Sequence, residues 1–223
     1  MIDASYSDKE QQYFEYPRTE MLAFVPVTSA KVLEIGCGRA GFAQLLKARG
    51  AVHVTAIEAH AESAVWARQR VDRLLDMPIE DAIPALQGQE FDCIVLNDVL
   101  EHLVDPWKVL AALRGVLSAE GRIVASLPNV RYLPVFKDYV LRGQWRYQQD
   151  GVLDRTHLRF FTRTAMRELF ESTGFAVEHV QGINATNVSW KFHLLNALAR
   201  SALDDTRFKQ FACVARRSPA AAA

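Results

Sequence analysis

Two glycines stand where the chain could approach a ligand closely. The segment VLEIGCGRAG (32–41) places Gly36 and Gly38 after a short apolar run and before a stretch with helical spacing. Glycine tolerates positive φ and leaves room beside the backbone, and the first turn of a following helix offers unpaired N–H groups. This pattern is typical of a ligand-binding turn between a strand and a helix. A tight turn that binds nothing has the same pattern, so the glycines alone leave both interpretations open.

An acidic residue follows the glycine turn at an informative spacing. Glu58 ends the apolar run VHVTAIE (52–58) and comes about 20 residues after the glycines, where dinucleotide-binding folds place their ribose ligand. A carboxylate at such a strand end can accept hydrogen bonds from both hydroxyls of a ribose. A solvent-exposed acid is the alternative. The glycine turn and Glu58 together favour a nucleoside-containing cofactor.

Two histidines are candidates for moving a proton. His102 lies in LNDVLEHLVDPWKVL (96–110) and His157 lies in DRTHLRFF (154–161). A neutral imidazole can take the proton of a hydroxyl nucleophile. Either histidine could be structural instead, His102 by bracing the turn 98–105 and His157 by bonding a backbone carbonyl. We expect His157 to be the base, with His102 as the second candidate.

Basic residues are concentrated in one part of the chain. Residues 131–167 contain eight basic and three acidic side chains, whereas the whole chain balances 26 against 26, so recognition by charge must be local. Many such charges are solvated. Arginine suits planar or phosphate anions, and we expect Arg155 and Arg159 to bind the acceptor, with Tyr132 beside them. If the stretch is extended, both arginines and His157 point to one side.

Strand-like and helix-like periods alternate from residue 31 to about residue 128, which predicts a parallel α/β sheet. Residues 129–161 lack a clear period and are interpreted as a lid insertion after the fifth strand. The predicted fold is a Rossmann-like, mostly parallel seven-stranded sheet with helices on both faces and an antiparallel edge strand. The predicted strands are 31–36, 52–58, 72–77, 91–97, 121–128, 175–183 and 208–217, and the predicted helices are 42–50, 61–71, 106–117, 162–174 and one near 190–203.

The stretch after the fourth strand makes the sequence recognisable. With the glycine turn, it resembles the class I S-adenosylmethionine-dependent methyltransferases, in particular the branch with ubiquinone-type and bacterial glycan O-methyltransferases. The resemblance covers residues 31 to about 128 well and continues more loosely to residue 182, where YFEYPR (13–18) and THLRFFT (156–162) are similar to the glycan-modifying group. The residues that match the family's motifs are Glu34, Gly36, Gly38, Glu58, Asp98, Leu100, Glu101 and His102.

The resemblance implies S-adenosylmethionine as the cofactor, no metal, and a pocket at the carboxyl ends of strands one, two and four. His60 would cover an adenine face or be an exposed residue at a helix start. The family's third glycine is Ala40 here, and Met77-Pro78-Ile79 stands where Gly-Asp is usual, so Asp76 or Glu80 would replace the adenine ligand. The implied cofactor contacts are Glu34, Gly36, Cys37, Gly38, Glu58, Ala59, His60, Asp76, Ile79 and Asn97.

The predicted function is O-methylation of a sugar or glycan intermediate, with attachment to a nucleotide or lipid diphosphate as one option. A quinone-like or secondary-metabolite ring is the alternative acceptor, and a non-catalytic cofactor-binding partner of a biosynthetic enzyme is the alternative class. The Asn/Asp-Pro-Pro-Tyr/Phe pattern of amino-group nucleic-acid methylases is absent. Ala40 and Gly41 do not continue into a G-x-G-x-x-G loop, which disfavours an oxidoreductase.

The length of 223 residues predicts a single methyltransferase domain over residues 1–217, with an N-terminal cap (1–30), the lid insertion (129–161) and a disordered tail (218–223). Three cysteines without CxxC spacing predict neither a disulfide framework nor a zinc cluster. No apolar run approaches the ~20 residues of a membrane span, and the expected location is the cytoplasm. The expected partner is a small-molecule acceptor and not nucleic acid; the oligomeric state is left open.

Overall fold

The computed structural model describes residues 16–50 and 52–218. Its centre is a seven-stranded sheet of order β3-β2-β1-β4-β5-β7-β6. Strands β1 to β5 are parallel, and β7 runs antiparallel between β5 and the edge strand β6, which confirms the predicted fold class. The strands are β1 Lys31–Ile35, β2 His53–Ile57, β3 Arg73–Leu75, β4 Phe91–Asn97, β5 Leu117–Pro128, β6 Phe175–Ala185 and β7 Phe208–Arg217.

Helices cover both faces of this sheet. Each face buries its own apolar cluster: Leu33 and Ile35 of β1 belong to one, and Val32 and Val54 belong to the other. The alternation follows from the period of two along a strand. The helices are α1 Gly41–Arg49, α2 Ala61–Ala67, α3 Ile79–Leu86, α4 Pro106–Leu113, α5 Leu133–Arg142, α6 Arg163–Ser172 and α7 Trp190–Leu198, with 3-10 helices at Thr19–Phe24, Leu100–His102 and Asp204–Arg207.

The start of α4 agrees with the sequence, but its end does not. Asp105 caps the helix by accepting a hydrogen bond from the Lys108 N–H at 2.9 Å, as the Asp-Pro pair predicts. The prediction that the helix extends to Leu117 is wrong, because it ends at Leu113 and Leu117 begins β5. Leu117 belongs to the sheet because it pairs with Phe91 in β4 and its side chain is buried.

Two helices lie where none was predicted. Helix α3 connects β3 to β4 and contains Pro84. Helix α5 lies within the predicted lid and buries none of its residues. The division into cap, lid and tail stays a prediction, and residues 1–15 and 219–223 of the cap and tail lie outside the described residues. Among the helices that the structure describes, none is long and apolar enough to cross a membrane.

The order of the strands reverses between β1 and β4. In open α/β sheets such a reversal forms a crevice at the carboxyl ends of the strands, where ligands bind. The glycine turn after β1, the acid after β2 and the D-x-L-E-H stretch after β4 all leave the sheet at this edge. The fold therefore brings the sequence motifs to one place.

Candidate active site

The turn between β1 and α1 has a left-handed backbone at three positions. Gly36 has φ 66°, Gly38 has φ 54° and Ala40, which stands where the family has its third glycine, has φ 61°. The Gly36 N–H donates to Ile57 O at 2.8 Å, which ties the turn to the end of β2. Ala40 adopts the same backbone conformation at a cost of about 1–2 kcal/mol, so the turn keeps its path without that glycine.

Gly36 also faces a close neighbour. A Cβ built on Gly36 would lie 2.7 Å from Cγ2 of Val99, which belongs to the turn after β4. Real Cβ atoms do not approach that closely, so Val99 would have to move. The close approach of the two loops therefore requires glycine at this position.

Glu58 bridges the glycine turn and the start of α2. Its Oε2 accepts a hydrogen bond from the Gly38 N–H at 2.7 Å, and its Oε1 accepts one from the His60 N–H at 2.8 Å. The side chain is 8% exposed, which contradicts the alternative of a solvent-exposed acid. Ala59 between them is half-buried, and His60 Nδ1 lies 2.9 Å from Ser63 Oγ in the first turn of α2.

A second acid, Glu34, is buried beside Glu58. Burial raises the pKa of Glu34 to about 8, and the neighbouring Glu58 carboxylate adds to the rise. Burial raises the pKa of Glu58 to about 7, although the backbone hydrogen bonds from His60 and Gly38 oppose the rise. Both carboxyls in the crevice therefore change charge close to neutral pH.

Asp76 and Ile79 have other contacts than those predicted. Asp76 forms an exposed ion pair with Arg68 at 2.6 Å, and Ile79 is 5% exposed within the apolar core under α3. Glu80, the alternative ligand, is exposed in the first turn of α3. The contacts of Asp76, Glu80 and Ile79 with an adenine ring stay predictions.

The chain reverses after β4 through a residue with a strained backbone. Asp98 has φ 54° and accepts hydrogen bonds at Oδ1 from Ser126 Oγ at 2.9 Å and from Gln210 Nε2 at 2.8 Å. Its Oδ2 is paired with Arg18, whose guanidinium is buried and also donates to Ser126 Oγ at 3.1 Å. Four distant parts of the chain meet here, and Arg18 is a site residue that the sequence analysis missed.

The two predicted bases lie side by side. The ring centroids of His102 and His157 are 4.7 Å apart in an edge-to-face arrangement. His157 is buried; its Nδ1 is 3.1 Å from Val152 O, and its Nε2 is 4.0 Å from Oε1 of the buried Glu101. Since a carbonyl oxygen can only accept, Nδ1 carries the proton of this hydrogen bond, and in the neutral form of the ring Nε2 is the basic nitrogen.

The side chains of Glu101, His102 and His157 form a possible metal site. Their ligand atoms all lie within 4.8 Å of one another. One carboxylate and two imidazoles are donors that suit Zn²⁺ and similar divalent ions. The prediction that no zinc cluster exists rests on the spacing of the cysteines. It therefore does not apply to these three ligands, none of which is a cysteine. The absence of a metal stays a prediction.

The condition under which Arg155, His157 and Arg159 would point to one side, an extended chain, is not met between Asp154 and Thr156. Asp154 Oδ1 accepts hydrogen bonds from the Thr156 N–H at 2.9 Å and from its hydroxyl at 2.8 Å, which folds the chain into a turn. The turn interrupts the alternation of an extended chain. His157 is consequently buried, whereas both arginines are exposed.

Arg159 has structural contacts on the outer surface. Its Nη2 donates to Val104 O at 2.5 Å, and its guanidinium lies 5.9 Å from the ring centroid of Trp107 in α4. Tyr132 is half-buried at the start of α5, where its N–H donates to Asn129 O at 2.9 Å. The roles of Arg155, Arg159 and Tyr132 in acceptor binding stay predictions.

Aromatic rings of the lid extend toward His157. Phe160 contacts both the lid rings and His157. Its ring centroid is 5.2 Å from that of Trp145, 6.3 Å from that of Tyr147 and 6.4 Å from that of His157. Tyr139 of α5 contacts Trp145 edge-on at 5.9 Å. Edge-to-face packing of this kind is favourable, so the rings form a lid core that ends beside the histidine pair.

Comparison with known proteins identifies the family. The model of the methyltransferase domain matches residues 9–180, which is most of the chain. This chain is a class I S-adenosylmethionine-dependent methyltransferase. The resemblance seen in the glycine turn and the D-x-L-E-H stretch is thereby confirmed, as are the enzymatic class and the cofactor.

Relatives and solved structures agree with this assignment. The methyltransferase is similar to the ubiquinone biosynthesis O-methyltransferase of Aeromonas salmonicida, at 24% identity over 74% of this chain and 70% of that protein. The enzyme of the same name from Xylella fastidiosa is 34% identical over 54% of this chain and half of its own length. An S-adenosylmethionine-dependent methyltransferase of Archaeoglobus fulgidus has the same fold, with TM-score 0.67, 16% identity, and coverage of 93% and 95%.

The residues of the methyltransferase's crevice fit its cofactor. Oε2 of Glu34 and both polar atoms of the Asn97 amide are buried without a hydrogen-bond partner among the described residues. Such groups normally have partners, and the amino, carboxylate and hydroxyl groups of S-adenosylmethionine can supply them. Glu34, Asn97 and the glycine turn would hold its methionine part and Glu58 its ribose. Cys37, 6% exposed, supplies backbone to this turn.

Affinity for S-adenosylhomocysteine should rise with pH. An ionised Glu58 accepts both ribose hydroxyls, whereas its protonated form can accept fewer hydrogen bonds. Because its pKa is about 7, roughly a tenth of Glu58 is ionised at pH 6, and binding there should be about tenfold weaker than above pH 8. Calorimetry from pH 6 to pH 8.5 measures this. Glu58→Gln should weaken binding and reduce the slope to the part that Glu34, with its pKa of about 8, contributes, whereas the exposed control Glu168→Gln should keep the full profile; an unchanged slope in Glu58→Gln contradicts the assignment.

Proposed function

We propose that this methyltransferase transfers its methyl group to a hydroxyl oxygen on a small, ring-bearing acceptor. The observation that carries the proposal is the pair of adjacent histidines that follows β4: the half-buried His102 lies beside the buried His157, whose Nδ1 is 3.1 Å from Val152 O. Relatives named as ubiquinone biosynthesis O-methyltransferases support oxygen as the methylated atom. The aromatic rings beside His157 support a planar acceptor.

The chain's own residues have three tasks in this reaction. The bound cofactor supplies an electrophilic methyl group on a sulfonium. Glu58 and the glycine turn hold that cofactor, and the hydrogen bond to Val152 O orients His157 so that its Nε2 can take the proton of the acceptor hydroxyl. Val152, whose carbonyl oxygen contacts His157, and the following Leu153 are both buried, and their apolar side chains would help to exclude water.

A sugar or glycan intermediate is the second candidate acceptor. It is favoured by the excess of basic side chains in residues 131–167, among which Arg155 is exposed close to His157 in the chain. An acceptor joined to a diphosphate would find cationic partners there. The two candidates differ in the ring that carries the hydroxyl and in the charge of the acceptor.

An acceptor panel tests the proposal. The protein is incubated with S-adenosylmethionine labelled in its methyl group and with catechol-type compounds or nucleotide sugars, and products are identified by mass spectrometry. We expect a labelled methyl ether on a ring hydroxyl. A methylated nucleotide sugar would favour the second candidate. Methylation at nitrogen only, or cofactor binding with no turnover on any acceptor, would contradict the proposal, and the latter would support the non-catalytic alternative.

A further inference from the structure

Helix α7 presents its apolar side chains to solvent. Trp190, Leu194, Leu195 and Leu198 are 71%, 56%, 56% and 76% exposed, whereas the buried residue of the helix is the polar Asn196. Helices of globular proteins normally bury the apolar side and expose the polar one. Helix α7 departs from that rule, because most of its apolar side chains are exposed together with Lys191 and His193, while Phe192 is half-buried.

Hydrogen bonds of the buried Asn196 hold α7 in this orientation. Its Nδ2 donates to Asp204 Oδ1 at 2.5 Å, and its Oδ1 accepts from the Leu203 N–H at 2.9 Å. Trp190, Leu194 and Leu198 follow at intervals of four residues and line the same side of the helix. We call these three residues the α7 face. A continuous exposed apolar surface of this kind marks an interaction site.

The α7 face lies at the same edge of the sheet as the active site. Strand β6 pairs antiparallel with β7, which pairs antiparallel with β5, so α7 and the lid helix α5 both leave the sheet at the carboxyl edge. Arg131, just before α5, donates to Ala202 O at 2.6 Å and pairs with Asp205 at 3.3 Å. Helix α5 also exposes apolar side chains, at Tyr139, Val140 and Leu141.

Basic side chains outnumber acidic ones in residues 179–207, the segment around the α7 face. Residues 179–203 contain Lys191 and Arg200 and no acidic residue. Of the acids that follow, Asp205 pairs with Arg131. Asp204 is exposed and accepts a hydrogen bond from the neutral Asn196 amide, so it keeps its negative charge, and the basic Arg207 follows it. Apolar side chains bordered by cations suit a lipid bilayer surface, where anionic headgroups cover an apolar interior. In a two-fold dimer through the α7 face, Lys191 and Arg200 of one chain would instead lie close to the same cations of the second chain, which would repel them.

We propose that the α7 face, with Lys191 and Arg200, docks on a membrane surface that contains anionic phospholipid. Trp190, Leu194 and Leu198 enter the boundary between headgroups and acyl chains, and the two cations contact the headgroups. The carboxyl edge of the sheet then lies next to the lipid, and the active site opens beside it. The proposal does not depend on the identity of the acceptor.

Flotation of the full chain with vesicles tests the docking surface. We expect binding to vesicles of phosphatidylglycerol and phosphatidylcholine, weaker binding to phosphatidylcholine alone, and loss of affinity at high salt. Leu194→Ser with Leu198→Ser, and separately Lys191→Glu with Arg200→Glu, should each weaken binding at least about tenfold. The matched control Val65→Ser, which changes an exposed apolar residue of α2, should not.

Two further measurements decide the outcome. Affinity for S-adenosylhomocysteine should be unchanged in both double variants, because neither touches the crevice, and this also verifies that they are folded. Absence of vesicle binding by the unaltered chain, equal binding to both vesicle types, or equal binding by the variants would overturn the proposal. So would a dimer, seen by light scattering, that the leucine substitutions abolish, because the α7 face would then bind a second copy.

Discussion

Replacing His157 by alanine should lower turnover about 10²- to 10⁴-fold, the usual span for loss of a general base, and leave cofactor affinity unchanged. The proposed base is buried next to His102 and Glu101, and its Nδ1 lies 3.1 Å from Val152 O, which fixes the orientation of the ring. Steady-state kinetics with the acceptor found in the panel, together with calorimetry, measure both quantities. The effect should appear in kcat, because His157 acts on the proton in the transition state.

Two histidines provide the controls. His193→Ala changes an exposed ring of α7 and should leave kcat unchanged. Full activity in His157→Ala combined with loss in His102→Ala would assign the base to His102. If a chelator abolishes activity and a divalent ion restores it, the pair and Glu101 act as metal ligands, and the general-base assignment is wrong.

Gly36→Val should abolish binding of S-adenosylmethionine. Valine would have to adopt φ 66°, and its Cβ would lie 2.7 Å from Val99 Cγ2, so the turn and the loop after β4 would separate. Calorimetry measures the loss of binding, and thermal unfolding measures stability. Most of the fold should remain, because Gly36 belongs to neither apolar cluster and the residue that its substitution displaces, Val99, is one member of a large cluster.

Gly88→Val isolates the cost of backbone strain. Gly88 has φ 77° and nothing within 4 Å of an added Cβ, so its substitution should lower stability without affecting cofactor affinity. Normal binding by Gly36→Val would mean that the glycine turn is only a turn.

Local signals account for the parts of the fold that the sequence predicts. Thr162 caps α6 by accepting a hydrogen bond from the Ala165 N–H at 3.1 Å, and Gly174 follows the helix with φ 87°. Helix α3 escapes prediction because Pro84 within it disfavours a helix, although Ile79, Ala82 and Leu86 have helical spacing and are buried. In α5, Pro134 and Gly143 were usable boundary signals.

The cofactor half of the site was accessible from sequence for a physical reason. Parallel strands end at the same edge of a sheet, so residues that follow β1, β2 and β4 must lie close together. Gly36, Gly38 and Glu58 could therefore be placed without knowledge of the packing. The hydrogen bond from the Gly38 N–H to Glu58 agrees with that placement.

The acceptor half required the tertiary structure. Arg18 reaches Asp98 because the N-terminal segment folds back over the sheet, and His157 reaches His102 because a turn at Asp154 interrupts the lid. By itself, the sequence determined the alternation of strands and helices, the family and the position of the glycine turn, because those depend on neighbouring residues and on strand order. Only the tertiary structure decided which distant polar groups are buried together, because hydrogen bonds and packing between segments far apart in the chain leave no periodic pattern in the sequence.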